Sequence, residues 1–291
     1  MSLNVIYCIY VMTYISPIIT PINSPYLNNK NTGLGNCLFQ IASVYGISKK
    51  LNINCAFPNV KIYCEKLKKL FGFNHYDTIL RNICNNFNEG CLYQETYDNK
   101  LNRIYDENMI KYLSNVSHNI TIYGYLECTK YFNDYRNDIL NLFSIDTNSE
   151  SYIQNKYGHI LNTNKVVSIH FRCGYDYLHH YNPYINFYKK AIEYFIKKYE
   201  NPHFFLFSDN IGYINLNQLG LINNYTIIEN NQDYIDLWTM SKCDGHIISP
   251  STFSFWGVYL NQKENIDVLY DKQNENKYEL DYSFTNNYIG I

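Results

Sequence analysis

The second half of the chain alternates short apolar runs with amphipathic segments, and this pattern restricts the fold more than any other feature of the sequence. The apolar runs, all predicted as strands, cover residues 166–171, 203–210, 225–229, 245–249 and 266–271. Residues 185–200, 233–243 and 251–261 lie between them and repeat apolar side chains at helical spacing. Continuous apolar strands alternating with helices are typical of right-handed βαβ units and a parallel sheet. We therefore predict a Rossmann-like half.

The first half of the chain is less regular. A loop containing Gly33 and Gly35 opens an amphipathic segment, which we predict to be a helix ending at residue 50. Residues 120–143 indicate a strand, a loop and a helix, and residues 144–158 have the composition of a linker. The chain has 291 residues, which exceeds one average domain and predicts two modest domains or one large α/β unit.

The N-terminal segment and the overall charge exclude several classes of partner. Residues 4–22 carry no charge, but Pro17, Pro21 and several polar side chains interrupt the apolar pattern and no basic region precedes it. We therefore expect a buried strand here rather than a signal peptide or a membrane anchor. The net charge is −2 and no basic stripe is present, which argues against nucleic acid as a partner.

The cysteines point to a reducing compartment. The chain has nine of them, an odd number, and no C-x-x-C pair. Zinc and thioredoxin-like sites need that spacing, so we expect free thiols. This predicts a cytoplasmic location, or one peripheral to a membrane, rather than the secretory pathway.

Polar side chains follow the ends of three predicted strands. Because ligands of open α/β sheets bind outside the carboxyl ends of the strands, these residues are the first candidates for a site. They are His170 and Arg172, then Ser208 and Asp209, then Ser249, Ser251 and Thr252. One arginine, one carboxylate and several small hydroxyls predict an anionic, hydroxyl-rich ligand such as a sugar nucleotide.

Each of these residues also has a purely structural interpretation. Arg172 offers a planar fork that matches phosphate oxygens and stabilises charge on a departing diphosphate, or it forms an ion pair with Asp176 or another carboxylate; spacing favours neither. His170 alone is more often a satisfied histidine beside a strand end than a base. Asp209 either accepts a hydrogen bond from a ribose or base of the ligand, or caps the helix that follows it. Ser251 and Thr252 open a helix whose N-terminus favours phosphate, or they are ordinary caps.

The glycine pair of residues 33–35 excludes two enzyme classes. No G-K-[ST] follows it, so it is not the phosphate-binding loop of an NTPase. Position 38 is leucine where the dinucleotide fingerprint needs its third glycine. The sequence therefore argues against both an NTPase and an NAD enzyme.

Taken together and in this order, the motifs of the chain resemble those of glycosyltransferase family 11, the α-1,2-fucosyltransferases. The family's G-G-L-G-N-Q-[LM]-F-Q is similar to "TGLGNCLFQ", its mid-chain glycine, tyrosine and aromatic pair to "GYLECTKYF", and its H-x-R-R-G-D-Y to "HFRCGYDY". Its F-[VL]-F-S-D-D is similar to "FLFSDN", and its D-x-x-x-M-S-x-C and N-S-S-[FY]-S-W-W to "DLWTMSKC" and "SPSTFSFWG". These blocks span residues 32–261, nearly the whole chain.

The resemblance implies an α/β, GT-B-like fold of two Rossmann-like domains with the donor cleft between them, here residues 1–150 on the acceptor side and 151–291 binding the GDP-sugar. It implies GDP-β-L-fucose as donor, the 2-hydroxyl of a galactose-containing glycan as acceptor, inversion at the anomeric carbon, and no metal or other cofactor.

The resemblance also implies roles for individual residues. Arg172 would hold the donor pyrophosphate, His170 would shape the same loop, and the helix start at Ser251 and Thr252 would contact the nucleotide. Lining of the cleft from the other domain would come from Gly33, Gly35 and Asn36. For the base that deprotonates the acceptor we predict Asp176 or His170, with Glu127 behind them.

The chain departs from the family pattern at several positions. Thr32, Cys37, Pro250 and Phe255 replace a glycine, a glutamine, an asparagine and a tryptophan; Tyr175 is an apparent insertion. Cys173 stands where the second motif arginine belongs, a loss of about a few kcal/mol of transition-state stabilisation if that cation acts on the leaving diphosphate. Two alternatives follow: another GDP-sugar transferase of the same fold, or a glycan- or nucleotide-binding protein that has lost catalysis.

Overall fold

The computed structural model describes most of the chain. The residues described are 14–17, 33–57, 64, 78–82, 91–94, 104–173, 181–221, 224–273, 284–285 and 287–291. No helix within these ranges combines the length and the apolar composition needed to cross a membrane.

The strands form two parallel sheets. In chain order the strands are β1 Tyr14–Pro17, β2 Asn54–Cys55, β3 Cys91–Gln94, β4 Ile120–Tyr123, β5 Val166–Phe171, β6 His203–Ser208, β7 Tyr225–Ile227, β8 Gly245–Ile247, β9 Asp267–Tyr270 and β10 Asn287–Gly290. The first sheet has the order β2-β1-β4-β3 and the second the order β10-β9-β8-β5-β6-β7, with every neighbouring pair parallel.

Helices connect the strands as the alternation in the sequence predicts. The α-helices of the described residues are α1 Leu34–Leu51, α2 Glu107–Leu113, α3 Arg136–Leu142, α4 Thr147–Leu161, α5 Tyr181–Lys198, α6 Asp233–Met240 and α7 Thr252–Tyr259. Short 3₁₀ segments cover Thr129–Tyr131, Asn133–Tyr135, Ile211–Tyr213 and Leu216–Leu219. Two helix starts are capped by aspartates, since Asp106 accepts from the backbone of Met109 and Asp146 from that of Asn148 and Ser149.

The order of the second sheet reverses at β5. From β5 the chain continues outward through β6 and β7, then returns to the other side of β5 for β8, β9 and β10. The loops after β5 and β8 therefore diverge from each other at the carboxyl edge of the sheet. Such a switch point opens the crevice in which α/β sheets bind their ligands.

The side chains of β5 and β6 alternate between two cores. Val167, Ile169, Phe204 and Leu206 face α5 in one cluster, whereas Phe205 packs in the other cluster with residues of both sheets. Both clusters consist of buried apolar side chains, most of them without exposed surface. The cluster that contains Phe205 extends continuously from the first sheet through α1 into α6 and α7.

The elements predicted for the second half are confirmed, with ends that differ by a few residues. The strand expected within residues 4–22 is confirmed for Tyr14–Pro17, and the rest of that segment lies outside the described residues. The predicted linker at 144–158 is wrong, because most of it forms α4. The domain boundary at residue 150 falls within this helix, and the division into two domains stays a prediction.

Replacing two helical glycines by alanine is expected to change the free energy of unfolding in opposite directions. A Cβ on Gly46 of α1 would lie 2.2 Å from the backbone oxygen of Tyr131, whereas a Cβ on Gly158 of α4 would meet first the mobile amide of Gln154 at 2.9 Å. We expect Gly46→Ala to lower the free energy of unfolding by about 2 kcal/mol through overpacking. Gly158→Ala should raise it by about 0.5 kcal/mol, since alanine loses less entropy in a helix. Urea denaturation measures both; stabilisation by Gly46→Ala would contradict the contact between α1 and the segment after β4.

Candidate functional site

Arg172 and Asp209 form an ion pair at the carboxyl edge of the second sheet. Arg172 follows β5 and Asp209 follows the neighbouring strand β6, and Nη1 of the arginine lies 2.6 Å from Oδ2 of the aspartate. The two side chains keep 37% and 29% of their surface exposed. A pair this open to water contributes only about 0.5 kcal/mol to stability. Its effect is to orient the guanidinium at a place that a ligand can reach.

The same carboxylate also fixes the backbone after β5. Oδ1 of Asp209 accepts a hydrogen bond of 2.7 Å from the backbone N–H of Cys173. Ser208 stabilises the turn after β6, because its hydroxyl accepts a hydrogen bond of 3.1 Å from the backbone N–H of Asn210. Asp209 therefore joins the two loops on which the predicted site residues lie.

His170 connects β5 to the start of α7. Its Nδ1 lies 2.7 Å from the hydroxyl oxygen of Ser249 and 2.6 Å from that of Ser254, and its ring stacks on Phe253 with centroids 5.4 Å apart. Burial, helped by the charge of Arg172, lowers the pKa of His170 to about 3. The ring is therefore neutral and serves as a fixed hydrogen-bonding element between the strand and the helix.

The first turns of α1 and α7 meet beside this network. Ser251 caps α7 by accepting from the backbone N–H of Phe253 at 3.2 Å. Thr252 donates its hydroxyl to Oδ1 of Asn36 at 2.6 Å, and the indole N–H of Trp256 donates to the backbone oxygen of Gly35 at 2.9 Å. The structure thus brings residues from the two halves of the chain into one place.

The two glycines of this junction differ in surroundings. A Cβ on Gly35 would lie 2.6 Å from the Thr252 hydroxyl and 2.8 Å from the backbone nitrogen of Phe253, so only glycine lets the helices approach. A Cβ on Gly33 would meet no atom of the described residues within 4 Å. The geometry therefore assigns Gly35 to packing, whereas Gly33 has no such close contact with the described part of the chain.

The side chain of Cys173 points into the core. It is 2% exposed and packs in the α5-side cluster, and burial raises the pKa of its thiol. The hydroxyl of Ser208 and the charges of Arg172 and Asp209 also act on this thiol, the hydroxyl through a hydrogen bond. Cys173 therefore lies between the apolar cluster and the Arg172–Asp209 pair.

The chain matches one known protein family over nearly its whole length. The model of "Glycosyl transferase family 11" matches residues 23–291. The chain belongs to glycosyltransferase family 11. This confirms the resemblance that the motifs predict.

Two curated relatives of this family 11 protein come from Escherichia coli. The O-antigen biosynthesis glycosyltransferase WbnK is 24% identical, in a match that covers 81% of this chain and 90% of the relative. An α-1,2-colitosyltransferase is 25% identical, in a match that covers 78% of this chain and 84% of the relative. Both relatives are glycosyltransferases, and so is the chain by its family.

Solved structures share the fold of the family 11 chain. The NodZ α-1,6-fucosyltransferase soaked with GDP-fucose has a TM-score of 0.54 at 12% identity, covering 85% of this chain and 92% of NodZ. A mutant of Arabidopsis thaliana FUT1 in complex with GDP has a TM-score of 0.50 at 14% identity, covering 89% and 70%. The α/β, parallel-sheet part of the predicted GT-B-like fold is confirmed; the cleft between two domains stays a prediction.

One predicted site residue lies outside the described residues, and the sequence did not indicate two of the contacts of the site. Asp176, predicted as a base, is not among the described residues. Glu127, the further candidate, is 1% exposed. The sequence did not indicate Ser254 as a partner of His170, nor that the carboxylate partner of Arg172 is Asp209. Adjacency of β5 and β6 is the signal that would have indicated Asp209.

The described part of the chain contains no group of three or more His, Cys, Asp or Glu side chains that could hold a metal ion. Cys37, Cys55, Cys64, Cys128, Cys173 and Cys243 are free thiols. Independence of metal stays a prediction.

Two buried histidines predict a specific dependence of stability on pH. His246 accepts from the amide N–H of Asn261 at 2.9 Å and lies 2.7 Å from the Ser168 hydroxyl, and burial lowers its pKa to about 3, as it does for His170. Below pH 6.5 the unfolded chain takes up protons that the folded chain does not, so stability falls as the pH decreases toward 3. We expect His246→Gln to reduce this slope by about 1 kcal/mol per pH unit between pH 6 and 5.

The difference between variant and wild type is the quantity to measure. Burial raises the pKa of Asp236 to about 7, and its protonation changes stability in the opposite direction over the same pH range. Urea denaturation at a series of pH values gives both slopes, with the exposed His159→Gln as matched control. An unchanged slope in His246→Gln would contradict a neutral buried ring.

Proposed function

We propose that this protein is an inverting, metal-independent transferase that moves L-fucose from GDP-β-L-fucose to the 2-hydroxyl of a galactoside. The observation that carries the proposal is the Arg172–Asp209 pair at the carboxyl edge of the second sheet, in a chain of family 11. Arg172 follows β5, the strand that borders the switch point, and its permanently charged fork supports binding of a nucleotide at this edge.

The role of Arg172 follows from where charge develops in the reaction. Breaking the bond between the sugar and the diphosphate leaves negative charge on the phosphate oxygens. A guanidinium already oriented by Asp209 stabilises that charge without having to reorganise first. Because the pair contributes little to folding, the orientation supports a catalytic rather than a structural purpose.

The helix starts supply further hydrogen-bond donors for the donor sugar nucleotide. The N-terminus of α7 lies beside β5 through the contacts of His170 with Ser249 and Ser254. Its backbone N–H groups and positive dipole end favour the nucleotide phosphates. Asn36 and Gly33 approach the same place from α1.

The acceptor hydroxyl needs a base, and the structure favours a positioning role for His170 over this one. A pKa of about 3 makes its ring a weak base at neutral pH, and its Nδ1 already faces two hydroxyls. Asp176 remains our proposal for the base. In the sequence it stands four residues after Arg172.

A second donor is supported by one of the relatives. The 25% identical relative is named an α-1,2-colitosyltransferase. Colitose is fucose without its 3-hydroxyl, so a site that takes one sugar differs from a site that takes the other by a single hydrogen-bonding group. GDP-colitose is therefore the alternative donor to test first.

The proposal is tested by measuring GDP release from GDP-β-L-fucose in EDTA, with and without lactose as the galactoside. We expect lactose to stimulate the release of GDP and EDTA not to reduce it. The fucosylated product should show an α-1,2 linkage by NMR. Arg172→Ala should lower the rate by about 100-fold or more, as losing one charge-stabilising donor does. Arg172→Lys should fall between the two, because it keeps the charge and loses the fork.

Lys197→Ala is the matched control, since it also removes one positive charge but from the exposed far end of α5. It should keep the wild-type rate. Parallel assays with GDP-colitose show which donor is preferred. Measurable binding of GDP-β-L-fucose without any release, with either donor, would replace the proposed transferase by a binding protein.

A further inference from the structure

The contact between Thr252 and Asn36 has a direction that the proposed function does not use. The two residues are 216 positions apart and belong to the first turns of α7 and α1. The Thr252 hydroxyl donates to Oδ1 of Asn36 at 2.6 Å. Thr252 therefore holds the oxygen end of the asparagine amide, and not its nitrogen end.

Holding one end of an amide determines what the other end presents. The two ends of an asparagine side chain have nearly the same shape, but one accepts hydrogen bonds and the other donates two. Nδ2 of Asn36 makes no hydrogen bond within the described residues, and the side chain is only half-buried. Without the Thr252 hydroxyl the amide is free to rotate and to present its oxygen instead.

The backbone makes this contact rigid. Gly35, directly before Asn36, lies against Thr252 so closely that a Cβ would be 2.7 Å from the Thr252 carbonyl carbon. The Trp256 indole one turn along α7 donates to the Gly35 oxygen at 2.9 Å. Neither helix can shift to let the amide choose another partner without breaking these contacts.

We propose that Thr252 is a positioning residue, whose hydroxyl turns the amide of Asn36 so that its N–H₂ group donates to an oxygen of the bound sugar nucleotide. This inference rests on the proposed function, because it takes the sugar nucleotide as the ligand of this edge. A ligand rich in phosphate and hydroxyl oxygens needs donors here, and a rotated amide would set oxygen against oxygen. In this inference Thr252 acts through Asn36, in place of the direct contact with the nucleotide that the resemblance implies for it.

A double-mutant cycle distinguishes this role from direct contact and from packing. The variants are Thr252→Val, Thr252→Ser, Asn36→Ala and the combination of Thr252→Val with Asn36→Ala. Both kcat/KM and the Kd for GDP-β-L-fucose are measured, the latter by calorimetry. Thr252→Val keeps the shape and removes the donor, and we expect it to lower kcat/KM by about 10- to 100-fold, the effect of a misplaced binding group. Thr252→Ser should stay within about twofold of the wild type.

The combined variant gives the decisive number. If Thr252 acts through the amide, adding Thr252→Val to Asn36→Ala should change kcat/KM and Kd by no more than about twofold, the usual additivity error. Losses that multiply would overturn the inference, since they indicate that Thr252 contacts the ligand itself or only supports packing. Full activity of Thr252→Val would overturn it as well.

A matched control and a second measurement separate this inference from the proposed function. Thr239→Val removes another buried hydroxyl, one that donates to the Ile235 carbonyl at 2.7 Å within α6, and it should leave kcat/KM and Kd within about twofold of the wild type. A wild type that binds GDP-β-L-fucose without transferring it contradicts the proposed function, and the Kd cycle still decides on Thr252. A wild type that does not bind this donor overturns both.

Discussion

The packing of the first turn of α1 against that of α7 determines where every other part of the site lies. Gly35 permits the approach, and aromatic side chains extend it into the core, with Phe39 and Phe132 packing on Trp256 at centroid distances of 5.1 and 5.7 Å. Each buried ring contributes about 2 to 3 kcal/mol, several times the contribution of an exposed ion pair. Apolar contact therefore holds the two halves of the chain together, and the polar groups at the same edge remain available for a ligand.

The charges of the site follow from this arrangement. The sheet buries His170 so completely that its ring stays neutral, whereas the permanent positive charge of Arg172 is left partly open to water. A buried cation would require a large desolvation penalty, whereas an exposed and unoriented one would lose strength to the solvent. Asp209 resolves this conflict, because it fixes the guanidinium at the surface and joins it to the backbone of Cys173.

The sequence predicted those parts of the fold that depend on local pattern. The strands of the second half are continuous apolar runs, and Arg172 follows one of them, so both could be read from residues close in the chain. The strand Cys91–Gln94 and the helix Glu107–Leu113 are too short to show a period among Asn-rich surroundings, and they were missed. The contacts that define the site join residues that are distant in the chain. Asp209 is separated from Cys173 by 36 positions and from Arg172 by 37, and Thr252 is separated from Asn36 by 216. Only the order of the strands and the approach of two helices determine such pairs.

Cys173 shows how a departure from a family motif depends on which atoms a position contributes. Its side chain belongs to the core, and its contribution to the site is a backbone N–H that donates to Asp209. Every residue except proline supplies that donor. The bond that orients Arg172 through Asp209 is therefore the same with cysteine as with arginine at this position. The cysteine is therefore compatible with the contacts that orient Arg172, and it is not by itself a sign of lost catalysis.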